Sequence, residues 1–148
     1  MPNITTNQTQ MKVFNGVAPS LDSNHVIDDI AFLLHTSAKT TDYTVQSSDS
    51  GTFFTTQGAT ADIEFTLPAV SGLGGFVCWI YNAEDVECLV TAPANTLIAL
   101  NNATADGISY TTASNHIGNA FMCVCNGTYW MAFCMRGDHD VTITVVSA

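Results

Sequence analysis

Basic side chains are scarce in this sequence, which has three Lys and Arg against thirteen Asp and Glu and a formal net charge of −10. The three are Lys12, Lys39 and Arg136, which are too few and too dispersed to form a basic patch. Binding of DNA or RNA relies on cationic side chains that displace counterions from the phosphates. We therefore expect no nucleic-acid partner. An acidic surface instead favours solubility and discourages non-specific adhesion.

Long apolar runs are also missing. No stretch approaches the roughly 20 apolar residues that a membrane-spanning helix needs, and residues 1–10 are too polar for a secretory signal peptide. Yet hydrophobic residues make up 47% of the chain and charged residues only 11%, well below the roughly 25% charged residues of ordinary soluble domains. We expect no membrane partner, and the apolar surplus must lie either in a large core or in subunit interfaces.

Motifs for catalysis and metal binding are lacking as well. The histidines do not have the spacing of a zinc site, no serine lies in a nucleophile-elbow motif, and the acidic clusters fall in expected turns instead of a cleft with opposed carboxylates. Nor do Glu84, Asp85 and Glu87 have EF-hand spacing. We expect no enzyme activity, no catalytic residue, no cofactor and no metal. The histidines and carboxylates to which this expectation applies are His25, His35, His116, His139, Asp28, Asp29, Glu84, Asp85, Glu87, Asp138 and Asp140.

The five cysteines are Cys78, Cys88, Cys123, Cys125 and Cys134. An odd number without a secretory signal indicates reduced thiols that act as small hydrophobic side chains. The triplet of Arg136, Gly137 and Asp138 spells an integrin-binding motif, but three residues are a short match, and we interpret it as a glycine turn between two strands.

Short strands separated by turn residues are what the sequence does contain. Ile63, Phe65 and Leu67 alternate with polar residues, which predicts a half-buried strand. Residues 76–81 are apolar on both faces, which predicts a central strand covered on both sides. Further strands are predicted at residues 86–91, 96–100 and 108–111, and a closing strand carries Val141, Ile143 and Val145. This spacing is typical of an antiparallel β-sandwich or barrel.

The dipeptide Asn126-Gly127 predicts a hairpin with a two-residue type I′ loop, in which both residues have positive φ. Cys125 would then face Thr128, and Cys123 would face Trp130. One face of the hairpin would carry Phe121, Cys123, Cys125 and Trp130, and the other Met122, Val124, Tyr129, Met131 and Phe133. Because neither face is polar, we expect the hairpin to lie between two sheets or between a sheet and a neighbouring subunit.

Residues 1–40 form a separate N-terminal arm and lead-in segment in this interpretation, and residues 41–148 form the β domain. Residues 1–10 are polar and lack periodicity, and residues 12–17 could form a short strand. Residues 20–39 fit either a helix, with Val26, Ile30 and Leu33 or Leu34 on one side, or a strand, which their all-β neighbours favour.

Five elements occur in an order that resembles a β module of tailed-bacteriophage structural proteins. They are residues 42–45, the Asp-Ser-Gly turn and strand at 49–54, residues 58–60, the Phe-Thr-Leu-Pro at 65–68 and the Asn-Gly-Thr-Tyr-Trp at 126–130. The module occurs in tail-fibre, head-fibre and capsid-associated proteins, and the resemblance covers about 90 residues. It implies a virion structural protein, usually a homotrimer, with no catalytic residue.

A compact acidic domain behind a polar arm is more similar to a capsid decoration, or cement, protein than to a fibre shaft. The expected function is to bind the major capsid protein on the outer capsid surface of the virion and to stabilise the shell. The alternative is a head- or tail-fibre module that adheres to host surface glycans, for which we expect an exposed patch rich in Trp and Tyr.

Overall fold

The computed structural model describes residues 34–137 and 142–147, which form twelve strands and one turn of 3-10 helix at Ser47–Asp49. The strands are β1 (His35–Ala38), β2 (Tyr43–Thr44), β3 (Thr52–Thr55), β4 (Ile63–Thr66), β5 (Val77–Tyr81), β6 (Cys88–Thr91), β7 (Leu97–Ala99), β8 (Asn102–Ala105), β9 (Gly107–Tyr110), β10 (Ala120–Cys125), β11 (Trp130–Met135) and β12 (Ile143–Val146).

The strands form two sheets that pack face to face. One has seven strands in the order β1-β3-β5-β10-β11-β7-β8, and the other has five in the order β12-β9-β6-β4-β2. Two aromatic pairs join the inner faces: the rings of Phe54 and Phe65 are 5.6 Å apart, and those of Tyr110 and Phe121 stack at 4.5 Å. The all-β sandwich predicted from the strand spacing is therefore confirmed at this level.

The prediction that the sheets are antiparallel is wrong, because both sheets are mixed. The first six strands alternate between the two sheets, so that β1, β3 and β5 run parallel in one, and β2, β4 and β6 run parallel in the other. Antiparallel pairs occur farther along, as between β5, β10 and β11. Hydrophobic alternation shows which face of a strand is buried but carries no information on strand direction, which depends on how the connections cross.

The core lies between the sheets and is made almost wholly of apolar side chains. Ile63, Phe65 and Leu67 are buried as the alternation predicts, and Trp130 is fully buried. The Trp130 indole packs edge-on against Phe76 at 5.3 Å and donates a hydrogen bond from Nε1 to the Pro68 carbonyl oxygen at 2.9 Å. This bond satisfies the one polar atom that the buried indole brings into the core.

Most predicted strands lie where the sequence pattern puts them, with β5, β6 and β7 inside residues 76–81, 86–91 and 96–100. Strand β9 begins one residue before the predicted range of 108–111. Strand β8, rich in Asn, Thr and Ala, was not predicted. Strand β5 packs one face into the core, whereas Val77, Trp79 and Tyr81 on its other face stay half-buried. It is central in its sheet but is not covered on both sides by the described residues.

The hairpin at residues 120–135 has a longer loop than predicted. Cys125 pairs with Trp130 and Cys123 pairs with Ala132, which leaves a four-residue loop at 126–129. Gly127 has φ +92°, but Asn126 is not in the positive-φ region, so the type I′ loop is wrong. Asn126 Oδ1 accepts hydrogen bonds from the Thr128 and Tyr129 amides at 2.9 and 2.8 Å. Since the register differs by two residues, the side chains keep their predicted faces.

Several predictions concern residues outside the described ranges. They are the arm at residues 1–10, the strand at residues 12–17, the helix or strand before residue 34, and Val141. Strand β1 lies in the segment assigned to the lead-in and pairs in parallel with β3. Within residues 34–137 and 142–147, no helical segment has the length and apolarity required to cross a membrane.

Candidate interaction surface

The two outer faces of the sandwich differ in chemistry. The outer face of the five-stranded sheet is mostly hydroxyl and carboxyl groups. Glu64 accepts a hydrogen bond from Thr91 Oγ1 at 2.7 Å on the neighbouring strand, and the hydroxyls of Thr111 and Thr144 are 3.0 Å apart. Such cross-strand polar pairs are typical of a sheet face in contact with water.

The outer face of the seven-stranded sheet is apolar, and we call it the apolar face. Its residues stand in three rows that cross adjacent strands, since cross-strand partners share a face. The rows are Phe53, Trp79, Met122 and Phe133; Thr55, Tyr81, Ala120 and Met135; and Val77, Val124, Met131 and Ile98.

The apolar face is partly open to solvent. Phe133 is 52% exposed and Met135 is 46% exposed, both near its β11 side. The rings of Phe53 and Tyr81 stack at 6.0 Å, so the aromatic side chains form a continuous layer over β3 and β5. A scattered exposed hydrophobic residue is ordinary, whereas a contiguous apolar surface marks an interaction site.

The local sequence explains the apolar face. Strands β3, β5, β7, β10 and β11 contain no Asp, Glu, Lys or Arg. An antiparallel or mixed sheet with a wet outer face normally carries polar residues at alternate positions. Here those positions hold Met, Val and aromatic residues, so both faces of these strands are apolar.

The acidic side chains of the described residues serve mainly to fix turns. Asp42, Asp62 and Glu84 accept hydrogen bonds from the amides of Glu64, Glu87 and Gly58, each at 2.8 to 2.9 Å. Asp49 Oδ2 accepts from the Gln46 amide at 2.8 Å and from the Tyr43 hydroxyl at 2.9 Å. Glu87 accepts from Ser109 Oγ at 2.8 Å. Glu84, Asp85 and Glu87 share the loop between β5 and β6, but their carboxylates bond to different partners, which are Gly58, His116 and Ser109.

His116 is only 7% exposed and is held by Asp85. The Asp85 carboxylate accepts from the His116 amide at 3.1 Å and lies 3.0 Å from His116 Nδ1. Nε2 of His116 is buried without a hydrogen-bond partner. The pair joins the loop before β6 to the loop before β10. His35 lies exposed on β1, far along the chain from this pair.

All five cysteines are free, as predicted, and four of them are fully buried. Cys78 and Cys123 are direct cross-strand partners. The hydrogen bond with Cys78, together with burial, raises the pKa of Cys123 well above its usual range. Burial raises the pKa of Cys88 to about 12, and Glu87 adds to the shift. Thiols with raised pKa values are poor nucleophiles and poor metal ligands near neutral pH.

Within residues 34–137 and 142–147, no three His, Cys, Asp or Glu side chains come together as a potential metal site. The other histidines and carboxylates named in the sequence analysis lie outside the described ranges. They are His25, Asp28, Asp29, Asp138, His139 and Asp140. Arg136 and Gly137 follow β11, and the Gly137 amide donates to Asn119 Oδ1 at 2.8 Å. The predicted glycine turn continues into residues outside the described ranges.

No protein-family model matches the sequence, and no curated protein matches it either.

Sequence reasoning found only part of the apolar face. The sequence assigned Met122, Val124, Tyr129, Met131 and Phe133 to one apolar face. This is confirmed for the four strand residues, whereas Tyr129 lies in the loop. The contribution of Phe53 and Trp79 was missed, because their alignment with the hairpin depends on pairing between distant strands. The signal that could have found it is the absence of charge from every one of these strands.

Proposed function

We propose that the protein is a capsid decoration protein, a structural and non-enzymatic component that binds the major capsid protein on the outer surface of a bacteriophage shell. The observation that carries the proposal is the contrast between its two outer faces. One face is polar and suited to solvent, and the other is apolar and uncharged. A protein attached on one side to a larger assembly needs this division.

The elements that resemble the phage module support the proposal through their placement. The turn at residues 49–51 leads into β3, where Phe53 joins the apolar face and Phe54 the core. Phe65 lies in β4, Leu67 is buried in the core, and the Pro68 carbonyl oxygen accepts the hydrogen bond of the Trp130 indole. The resembling residues therefore build the sandwich itself, as expected of a structural module.

Stabilisation of the shell would follow from mass action. A ligand that binds only the assembled state stabilises it by RT ln(1 + [L]/Kd) at each site. A shell presents many equivalent sites, and many modest contributions together resist disassembly. The acidic exterior would keep decorated particles apart in solution.

Add-back to stripped shells tests this function. Shells of the phage that encodes the chain are emptied of DNA and freed of the protein, and purified protein is then added in increasing amounts. We expect saturable binding in a fixed ratio to the capsid protein, and a higher temperature of shell disruption. Shells that neither bind the protein nor gain thermal resistance would contradict the function.

One observation favours the alternative, a fibre module that adheres to host glycans. Trp79, Tyr81 and Phe53 lie together on the apolar face, and aromatic rings can stack on sugars. Sugar sites also need several convergent polar groups, however, and the surrounding rows hold Met, Val and Ala. Binding of the protein to host surface glycans, abolished by Trp79→Ala with the fold intact, would establish the alternative.

A further inference from the structure

We propose that Asn126 is a site of spontaneous chemical modification, at which the side-chain amide is lost through a cyclic imide formed with Gly127. The products are aspartate and isoaspartate at position 126. In the folded protein the hydrogen bonds of the hairpin loop hold the reaction back, so that its rate depends on how often the loop opens. This chemistry is separate from the decoration function and does not depend on it.

The tip of the hairpin combines the residue types that this reaction needs. Asn126 is exposed and is followed directly by Gly127. Asparagine is among the thermolabile residue types, and glycine has no side chain that would crowd its own nitrogen. Within residues 34–137 and 142–147, every other asparagine is followed by a residue with a side chain. On sequence grounds, position 126 is therefore the most reactive of them.

The reaction proceeds in two steps. The Gly127 nitrogen gives up its proton and attacks Asn126 Cγ, and the Cγ–Nδ2 bond breaks as ammonia leaves with that proton. In the resulting five-membered imide, the Gly127 nitrogen is bonded to both carbonyl carbons of residue 126. Water then opens one of these two bonds. Opening at Cγ leaves aspartate in a normal backbone, and opening at the backbone carbonyl carbon leaves isoaspartate, in which the chain runs through the former side chain.

Hydrogen bonds fix both reacting groups in the folded loop. Asn126 Oδ1 accepts from the Thr128 and Tyr129 amides at 2.9 and 2.8 Å, and the Asn126 amide donates to the Tyr129 carbonyl oxygen at 3.1 Å. The Gly127 N–H, whose proton must leave, donates to Cys125 Sγ at 3.4 Å. Ring closure makes the bond between Asn126 Cα and its carbonyl carbon part of the imide, so its torsion is then set by the ring and not by the hairpin. The reaction therefore needs a local opening of the loop.

Gly74 adds a further restraint on the tip. A Cβ atom on Gly127 would lie 3.7 Å from Gly74 Cα, and a Cβ atom on Gly74 would lie 3.6 Å from the Asn126 carbonyl oxygen. The tip is thus packed against the backbone of a second loop. Its own backbone cannot rotate far without separating from that loop.

The two amides that bond to Asn126 Oδ1 also define the opposite outcome. Donors aimed at a carbonyl oxygen stabilise the negative charge that develops there during attack. They would accelerate the reaction if they stayed in place while the ring closed. Folded and unfolded rates separate the two effects, because restraint makes the folded protein react more slowly and such assistance makes it react faster.

The two products should differ in their effect on the hairpin. Aspartate keeps an oxygen at the position of Oδ1, which can still accept from the two amides. Isoaspartate lengthens the backbone and moves the acceptor from its place, so the fraction that carries it should have a lower melting temperature. Either product adds a negative charge, by which ion-exchange chromatography separates it from the unmodified protein.

Incubation of the full chain at mildly alkaline pH, once folded and once unfolded in urea, tests the proposal. Peptide mapping by mass spectrometry follows the loss of the amide at Asn126. We expect the folded protein to react more slowly than the unfolded chain by roughly tenfold or more, since the loop must open first. The second Asn-Gly pair of the sequence, Asn15-Gly16, supplies a reference for the unfolded rate within the same chain.

Trp130→Ala and Phe133→Ala form a matched pair of variants. Each replaces an aromatic residue of β11 by alanine, but Trp130 is fully buried beside the loop, whereas Phe133 is 52% exposed. Trp130→Ala should open the loop more often and raise the folded-state rate several-fold, and Phe133→Ala should react like the unmodified protein. In urea all three proteins should react equally, because the residues next to the Asn-Gly pair are unchanged.

Low urea concentrations, below the unfolding transition, give a second measurement on the unmodified protein if Trp130→Ala does not fold. The rate at Asn126 should rise with urea as the loop opens more often. Equal rates in the folded and unfolded chains, a faster rate in the folded protein, or an Asn126 that stays intact in urea while Asn15 reacts would each overturn the proposal. So would folded Trp130→Ala and Phe133→Ala variants that react at the same rate.

Discussion

Trp130 shows how single residues hold this sandwich together. Its ring is fully buried, its Nε1–H reaches the Pro68 carbonyl oxygen, and its own amide donates to the Thr96 carbonyl oxygen at 2.8 Å. One residue thereby links β11 to two loops. Aromatic side chains with a satisfied polar atom are among the largest contributors to a small core.

Trp130→Ala should lower the free energy of unfolding by about 3–5 kcal/mol, because it removes a large ring and leaves a cavity. Urea unfolding followed by circular dichroism measures the loss. Tyr129→Ala is the neighbouring control: Tyr129 is 38% exposed in the loop, and its loss should cost no more than about 1 kcal/mol. A Trp130→Ala loss below about 1 kcal/mol would mean that the indole does not fill the core.

Buried thiols should make stability depend on alkaline pH. Burial raises the pKa of Cys88 from 9.0 to about 12 and that of Cys134 from 9.0 to about 11. The folded state therefore holds these protons more tightly than the unfolded state. Stability from this source is fully present below pH 9 and is lost as pH rises toward the folded-state pKa values.

Urea unfolding at intervals from pH 7 to pH 11 should show a constant free energy up to about pH 9 and a decline above it. Cys88→Ala, although less stable throughout, should decline less steeply because one of the linked protons is gone. An equal slope for both proteins would show that Cys88 does not contribute to the alkaline decline.

At the scale of elements, the sequence determined strand positions far better than strand pairing. The alternation of Ile63, Phe65 and Leu67 with polar residues locates β4 because one face of that strand is wet. The same reasoning does not identify which strands pair, and β2–β4–β6 proved parallel. Strand pairing depends on how the connecting segments cross from one sheet to the other. These segments have no periodic sequence pattern from which the pairing could be predicted.

The hairpin loop illustrates a second limit. Asn-Gly favours a two-residue loop when its backbone alone closes the turn. Here the Asn126 side chain accepts the hydrogen bonds of two following amides, so that a four-residue loop becomes favourable. The tip also packs against Gly74, whose backbone lies close to Gly127. Neither the side-chain bonds nor this contact can be read from the dipeptide.

Asn126→Ala should cost about 1–2 kcal/mol of stability, since it leaves two amides without their acceptor. Asn126→Asp keeps a carboxylate oxygen at the same position and should cost distinctly less. Chemical denaturation of both variants beside the unmodified protein makes the comparison. Equal stability of the Ala and Asp variants would mean that the loop does not depend on these hydrogen bonds.

For the whole molecule, each surface has a different chemistry and a different expected role. The core between the sheets stabilises the fold, the polar outer face is suited to solvent, and the apolar face is suited to contact with another protein surface. The sequence predicted that the apolar surplus would lie in a large core or in subunit interfaces. If subunit interfaces exist, the apolar face is the surface on which we expect them. Which distant strands combine to form it could only be known from the fold.

The polar arm at residues 1–10 is expected to serve docking and not folding. It has little apolar content to bury, so its deletion should leave the melting temperature and the oligomeric state nearly unchanged. Its amide and hydroxyl side chains and its backbone can add hydrogen bonds along a strand edge of a neighbouring chain. The truncated protein should therefore lose occupancy on stripped shells in a pull-down. Equal binding by both proteins would remove the arm from the mechanism, and lost folding would place it in the core.

The location of the protein in a reconstruction of the intact particle tests the central claim most directly. We expect density for the sandwich at repeated positions on the outer surface of the shell, with the polar face that carries Glu64 and Thr91 turned toward solvent. We also expect the apolar face to be covered by neighbouring protein. Density confined to the tail or to fibre tips, or a particle that lacks the protein, would contradict the account.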